Sequence, residues 1–198
     1  MNGKCMIWAN DKEGYRSHGS WGSQNDVYAM FFTRKAWDTF KMSKEELEVQ
    51  KEAEKLAKKN KKDDTKNDTD AKKDKKDDVK KDSSATVAPI EIELDDLDNR
   101  VARLTINSSN LSDAVLTPDG DKLYYLSRFE KGFDLWVNEL KENNTKLVMK
   151  FDGYAGNLTI DKDGKNLFLV AGNALTKIEI ASNKRSTISY KAPKTIDY

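Results

Sequence analysis

Two stretches of this chain share one turn-and-strand pattern, and they decide its predicted fold. Residues 117–126 contain TPDGDK followed by LYYL, and residues 161–170 contain DKDGK and then LFLV. Gly164 lies 44 positions after Gly120, a step typical of β-propeller blades with four strands each. Asp-Gly pairs favour tight hairpin turns because Asp and Gly adopt positive φ at low cost. A clipped copy, NGK followed by CMIW, lies at residues 2–8. The sequence therefore predicts an all-β chain that forms part of a β-propeller.

Each copy continues with further candidate strands that alternate polar and apolar residues, as expected of sheets stacked on sheets. Two complete antiparallel blades are predicted over residues 111–151 and 154–191. A partial blade comprises residues 1–40 and is completed by residues 89–110, while residues 192–198 form a linker. About two and a half blades are therefore predicted. The partial blade has candidate strands at 4–9, 26–32 and 100–106 and lacks its innermost strand. The residues expected to be buried are Trp136, Leu126, Val115, Leu169 and Ile178.

A charged insertion over residues 41–88 interrupts the partial blade. Ser43 and Glu46 have the spacing of a helix-capping box, and strong helix formers follow, so a helix is predicted over 44–59. Residues 61–84 consist mainly of Lys, Asp, Asn and Thr without any apolar periodicity. Such a composition buries too little apolar area to offset the entropy of ordering, which predicts disorder.

Composition excludes several classes of partner and site. The 198 residues carry a formal net charge of +1, so no nucleic-acid partner is expected. No apolar run approaches the roughly 20 residues that a membrane span needs. The single Cys5 rules out an internal disulfide, and a metal site built on histidine clusters is not expected because His18 is the only histidine. No cofactor is predicted. The segment from Gly3 to Gly14 lacks the features of a secretory leader, which predicts a cytoplasmic protein, or a periplasmic one if a leader lies upstream.

The loop between the first two candidate strands is the predicted contact surface. Gly3 and Tyr28 are 25 positions apart, against 16 between the corresponding Gly120 and Trp136. The extra residues include Arg16, His18 and Trp21, which offer charge, hydrogen bonding and apolar area for a peptide. The alternative is structural, with Trp21 packed on the propeller rim and His18 capping a turn.

No catalytic residues are predicted. Ser17 and Ser20 are near His18 in sequence, but a nucleophile also needs a base within hydrogen-bond reach, an orienting third group and an oxyanion site. The acidic run at residues 95–98 lacks the order of a calcium-binding loop.

Longer phrases of the sequence resemble one family. GSWG at residues 19–22, DVYAMFF at 26–32 and IEIELDDLDNRV at 90–101 are similar to the second propeller of bacterial tricorn-type serine peptidases. In that family two propellers precede a PDZ-like domain and a serine-peptidase domain, and the second propeller is thought to filter substrates. The resemblance implies that this chain is a fragment ending just before the catalytic half, none of whose catalytic residues it contains.

Three functions are consistent with these observations. The first is a non-catalytic propeller that filters peptide substrates for a downstream peptidase domain, with the missing blades and catalytic domains as further partners and a homo-oligomeric parent chain. The second is a stand-alone propeller scaffold that binds a protein without proteolysis. The third is the propeller cap of an oligopeptidase of a different fold. A PDZ-like and serine-peptidase segment encoded after Tyr198 would select the first.

Overall fold

The chain forms three antiparallel sheets, and a computed structural model describes its residues 3–19, 22–63 and 89–190. The first blade has three strands in the order β1-β2-β3, the second has β4-β5-β6-β7, and the third has β8-β9-β10-β11. The strands are β1 (Cys5–Asn10), β2 (Asp26–Phe31), β3 (Val101–Arg103), β4 (Asn110–Leu116), β5 (Lys122–Arg128), β6 (Asp134–Glu139), β7 (Asn144–Met149), β8 (Ala155–Ile160), β9 (Asn166–Ala171), β10 (Ala174–Glu179) and β11 (Lys184–Thr187).

The second blade packs against both of its neighbours through opposite faces. Leu123 and Tyr125 of β5 face the first blade, whereas Tyr124 and Leu126 face the third. This arrangement follows from the period-two geometry of a strand, which sends successive side chains to opposite faces. Face-to-face stacking of consecutive antiparallel sheets, each built from strands in chain order, confirms the predicted β-propeller fragment.

Two apolar cores result from this stacking. The first interface core lies between the first and second blades, and the second interface core lies between the second and third. The buried members of the first are Val27, Ala29, Phe31, Ala36, Leu104, Leu123 and Tyr125. Those of the second are Tyr124, Leu126, Leu135, Val137, Ala155, Leu158, Leu167, Leu169, Ala171 and Ile178.

The predicted Asp-Gly turns connect the first two strands of the second and third blades. Gly120 and Gly164 have φ of 81° and 69°, the left-handed region that glycine enters without a steric penalty. Their N–H groups donate to the carbonyl oxygens of Thr117 and Asp161, at 2.8 and 3.1 Å. The recurring sequence signal therefore marks one recurring backbone turn.

Burial agrees with expectation at three of the five positions. Leu126, Leu169 and Ile178 are buried, whereas Trp136 and Val115 are only half-buried. Val115 belongs to the inner strand β4, which pairs with a neighbour at one edge only. Trp136 lies near the outer part of the second blade, where the half-exposed Phe129 ring packs edge-on against it at 4.9 Å. The expectation of burial was wrong for these two: Trp136 packs only at the margin of the first interface core, whereas Leu135 and Val137, which face the third blade from the same strand, are buried.

Two helices follow β2, and the first was not predicted. Helix α1 (Arg34–Lys41) begins inside the range that was assigned to the partial blade, and Thr33 caps it by accepting a hydrogen bond from the Ala36 N–H at 3.1 Å. Helix α2 (Lys44–Asp63) contains the predicted helix and extends beyond it, so residues 61–63 are helical rather than disordered. The remainder of the predicted disordered run, residues 64–84, lies outside the described residues.

A buried arginine joins the return segment to the first blade. Arg100 is 2% exposed, and its guanidinium donates to the carbonyl oxygens of Phe31 at 3.1 Å and Asp95 at 2.7 Å. It also donates to the carbonyl oxygens of Phe32 and Glu93. A short 3₁₀ turn, Leu97–Asn99, leads into it. Arg100 therefore fixes residues 93–95 against the end of β2, and strand β3 begins at the next residue.

None of the helices among the described residues is long and apolar enough to cross a membrane.

Candidate functional site

The described residues of the connection between β1 and β2, 11–19 and 22–25, form the two arms of a hairpin that extends beyond the sheet. Its two arms pair through the Gln24 N–H, which donates to the Tyr15 carbonyl at 2.8 Å, and the Ser17 N–H, which donates to the Gly22 carbonyl at 3.2 Å. A further bridge joins Arg16 to Ser23. We call residues 11–19 and 22–25 the rim hairpin. Its backbone is ordered by its own hydrogen bonds, which sequence reasoning did not foresee.

One glycine permits the arms to approach this closely. A Cβ atom at Gly14 would lie 1.9 Å from the Gln24 carbonyl oxygen, well inside van der Waals contact. Any side chain at this position would therefore push the two arms apart. The signal in the sequence was a glycine four residues after the end of a strand, which by itself did not identify this contact.

A buried carboxylate holds the base of the rim hairpin. Asp26 is 0% exposed and accepts hydrogen bonds from Thr105 Oγ1 and Ser108 Oγ, both at 2.7 Å, and from Arg103 Nη2 at 2.8 Å. Arg103 also lies 3.6 Å from a Glu13 carboxylate oxygen. Because Thr105 and Ser108 belong to the connection between the first and second blades, Asp26 ties the hairpin base to the blade junction.

Backbone bonds reinforce the same junction. The Asn25 N–H donates to the Ser109 carbonyl at 2.7 Å, and the Ser109 N–H donates back at 3.1 Å. The ring of Tyr28, the third residue of β2, stacks on Trp8 at 5.9 Å between ring centroids. Burial raises the pKa of Tyr28, so its hydroxyl stays protonated. The base of the hairpin is therefore joined both to β1 and to the connection between the first two blades.

The predicted contact residues that the structure describes are presented to solvent. The Arg16 side chain is 65% exposed, and its Nη2 lies 2.7 Å from Asp11 Oδ1. The hydrogen bond from Arg16 lowers the pKa of the Asp11 carboxyl. His18 is exposed at the tip, and the neighbouring Tyr15 is 70% exposed. Trp21 lies outside the described residues. The rim hairpin thus offers an exposed cation, an imidazole and a phenol on one ordered element.

The Ser17 hydroxyl bonds to the backbone beside it. The Ser17 hydroxyl donates to the backbone carbonyl of His18 at 3.3 Å, so its proton is not directed at an imidazole nitrogen. Nucleophilic catalysis by a serine requires its hydroxyl to donate its proton to a base such as an imidazole nitrogen. Among residues 3–19, 22–63 and 89–190, no three His, Cys, Asp or Glu side chains are grouped to hold a metal ion.

The opposite rim carries the two helices. Lys141, in the turn after β6, donates through Nζ to the carbonyl oxygens of Thr39 at 3.2 Å and Met42 at 2.8 Å, and also to that of Phe40. These carbonyls end helix α1, where a cation is favoured. Lys44 of α2 pairs with Glu142 at 3.2 Å. Lys141 and Glu142 therefore attach both helices to the second blade.

Comparison of the sequence with protein-family models and with curated protein sequences gives no match. Among solved structures, the chain is similar to TolB from Acinetobacter baumannii, with 13% identity and a TM-score of 0.47 over 94% of this chain and 30% of that one. It is also similar to the tricorn protease, with 8% identity and a TM-score of 0.49 over 95% of this chain and 16% of that one. The chain thus spans less than a third of each. The fold assignment follows from the sheet order and the interfaces between blades described above, and not from these likenesses.

Proposed function

We propose that this chain is a non-catalytic β-propeller segment of a tricorn-like serine peptidase, and that its rim hairpin helps select peptide substrates for a downstream catalytic domain. The observation that carries the proposal is the hairpin itself, an ordered element that holds Arg16 and His18 exposed above a buried anchor at Asp26. Binding residues are commonly placed on loops that a rigid scaffold positions. The family-like phrases of the sequence supply the peptidase context.

Each exposed group of the hairpin suits a peptide. The Arg16 guanidinium can pair with a carboxylate, either an acidic side chain or a chain terminus. Tyr15 can contribute aromatic contact area, and His18 can donate or accept a hydrogen bond. Arg16 already forms an exposed ion pair with Asp11, so a ligand carboxylate has to displace the Asp11 carboxylate. Exposed ion pairs contribute little free energy, so a ligand carboxylate can displace Asp11 at low cost.

The test compares long and minimal substrates in the full-length parent. Arg16→Ala with His18→Ala should lower kcat/KM on long peptides by about tenfold, the loss of one charged contact, while activity on a short chromogenic substrate stays unchanged. Lys131→Ala is the matched control, since Lys131 is an exposed cation in the corresponding connection of the second blade. Equal losses on both substrates would assign the hairpin a structural role. Hydrolysis by this chain alone, abolished by His18→Ala, would contradict the non-catalytic assignment.

A scaffold that binds a protein without proteolysis is the second candidate, and helix α2 favours it. The helix presents Val49 and Leu56 largely exposed, and a cavity of about 330 Å³ lies between it and the turns of the second blade. Removing α2 while retaining α1 should then abolish partner binding, whereas the peptidase proposal expects unchanged discrimination between substrates. A cytoplasmic location, with the periplasm as the alternative, and a homo-oligomeric parent chain belong to the peptidase proposal.

A further inference from the structure

Helix α2 has one side on the second blade and the other side in solvent. Leu47 and Lys51 line the cavity between the helix and the turns of that blade. An α-helix turns by about 100° per residue, which places Val49, Ala53 and Leu56 together on the opposite side. Val49 and Leu56 are 67% and 62% exposed, and Ala53 between them is also exposed. We call these three residues the outer stripe of α2, an apolar strip that faces away from the blade.

The two halves of α2 carry opposite net charges. Residues 44–54 contain five Glu and two Lys, a net charge of −3, whereas residues 55–63 contain five Lys and one Asp, a net charge of +4. The helix macrodipole favours acidic residues in the first turn and basic residues in the last, but this preference falls off within one turn. Glu52 and Lys55 lie in the middle of the helix, so the macrodipole does not explain why the sign of the charge changes there.

This charge pattern complements itself when two copies of α2 lie antiparallel. The acidic half of each helix then lies beside the basic half of the other, whereas a parallel pair would bring like charges together. With Ala53 near the centre of the pair, Val49 of one copy faces Leu56 of the other. Each such contact occurs twice about a two-fold axis, as a dimer of identical chains requires. The outer stripe and the charges therefore fit the same arrangement.

We propose that α2 is a self-association helix, and that the outer stripes of two copies of this chain pack against each other in an antiparallel pair flanked by opposite charges. The whole helix has a net charge of only +1, which favours neither a nucleic acid nor an anionic membrane as the occupant. The contact area is small, so the association is weak and depends on concentration. This surface is separate from the rim hairpin and does not depend on the proposed function.

Sedimentation equilibrium of the full chain, from about 1 μM to about 1 mM, measures the association, and we expect a monomer–dimer equilibrium within this range. Val49→Ala with Leu56→Ala should raise the dissociation constant by about tenfold, because each apolar contact is lost twice in a two-fold pair. Alanine is the strongest helix former, so this double variant keeps the helix. Leu47→Ala is the matched control, since Leu47 faces the second blade, and it should leave the dissociation constant unchanged.

Two charge-reversal variants test the antiparallel arrangement. The basic variant, Glu45→Lys with Glu52→Lys, makes the first half of α2 basic, and the acidic variant makes the second half acidic by changing Lys55, Lys58 and Lys59 to Glu. Each variant alone should associate about tenfold more weakly, because halves of like charge then meet, whereas an equimolar mixture of the two should form dimers again. A parallel pair predicts no weakening of either variant alone, since both variants reduce the repulsion between equivalent halves.

Three outcomes would overturn the proposal. The first is a monomer at every concentration in the range. The second is self-association that Val49→Ala with Leu56→Ala weakens no more than Leu47→Ala does, which would assign the contact to another surface of the chain. The third is a mixture of the basic and acidic variants that stays monomeric although circular dichroism shows that both retain the helix. If either charge variant loses the helix, the comparison between the alanine variants decides.

Discussion

The two interface cores of this chain are built from different kinds of secondary structure. Every buried member of the second interface core lies on a strand, in the second or third blade. The first interface core includes Ala36 from helix α1, and the rings of Trp37 and Phe40 lie 5.5 and 4.5 Å from that of Phe31. One core thus follows the blade repeat, and the other depends on a helix inserted into the repeat.

The difference can be traced to one position of the repeat. Phe31 ends β2 and pairs with Cys5, while Glu139 ends β6 and pairs with Lys122 in the same way. The carboxylate forms ion pairs with Lys122 and Lys146 near the rim, so it needs no apolar cover. The Phe31 ring needs apolar cover, and helix α1 provides it. The packed helix α1 therefore lies before the charged insertion, which contains the exposed helix α2.

The largest predicted effect is a truncation at this position. Phe31→Ala should lower the free energy of unfolding by about 3–5 kcal/mol, because it leaves a cavity among buried rings. Glu139→Ala, its counterpart in the second blade, should lower it by about 1 kcal/mol at most, since ion pairs near the surface contribute little. Urea denaturation of both variants measures the difference. Equal losses would show that α1 does not contribute to the first interface core.

The next prediction concerns two equivalent aspartates. Asp26 begins β2 and Asp134 begins β6, but Asp26 is buried with three side-chain donors, whereas Asp134 accepts from the Phe151 N–H at 2.9 Å. Asp26→Ala should cost about 3 kcal/mol, because it leaves buried polar partners unsatisfied. Asp134→Ala should cost about 1 kcal/mol, the value of one hydrogen bond. Denaturation at neutral pH tests both, and a smaller loss for Asp26→Ala than for Asp134→Ala would contradict the anchoring role.

The repeated parts of the molecule could be predicted from the sequence, and the parts that join them could not. Asp-Gly pairs and alternation are local signals, so the strands around Gly120 and Gly164 could be predicted. Helix α1 was missed although Thr33, Trp37 and Phe40 have helical spacing, because the core that buries its apolar face also needs residues of the second blade, such as Leu123 and Tyr125. Tertiary packing, rather than propensity, supplies most helical stability.

The candidate site shows the same division. The length of the connection between the first two strands identified the loop, and with it Arg16 and His18. Its hairpin pairing and the anchor at Asp26 depend on Thr105 and Ser108, which lie about 80 positions later in the chain. No local pattern specifies such a contact. The sequence therefore indicated the position of the exposed loop but not the contacts that anchor it.

The third prediction tests the attachment of α1 to the second blade. Lys141→Met retains the apolar stem but removes the ammonium group that binds the last carbonyls of α1, and it should cost about 1–2 kcal/mol. Lys44→Met is the matched control, since it removes an exposed ion pair at the same rim and should leave stability unchanged. Thermal unfolding followed by circular dichroism measures both variants. A similar response to both would mean that Lys141 does not stabilise the helix.

The smallest predicted effect distinguishes the two Asp-Gly turns by pH. Asp161 occupies the position that Thr117 has in the second blade, and its carboxylate accepts from the Lys165 N–H and from Asn166 Nδ2, both at 2.7 Å. The hydrogen bond from Asn166 and those from backbone N–H groups hold the pKa of Asp161 below its usual value of 3.8. A carboxyl whose pKa is lower in the folded state than in the unfolded state stabilises the fold. Its contribution is complete at every pH above the pKa of the unfolded state. This contribution is lost as the pH falls through the folded value.

We therefore expect Asp161→Asn to be less stable than the unaltered chain at neutral pH and the difference to shrink under acid conditions below pH 3.8. Asn166→Ala provides the matched test, because it removes the main cause of the shift and leaves the carboxyl in place. Carboxyl carbon chemical shifts, recorded by NMR across the acid range, should show Asp161 titrating at a higher pH in Asn166→Ala than in the unaltered chain. An unchanged titration midpoint would mean that the Asn166 amide does not determine the pKa of this carboxyl, and that the two turns differ only in sequence.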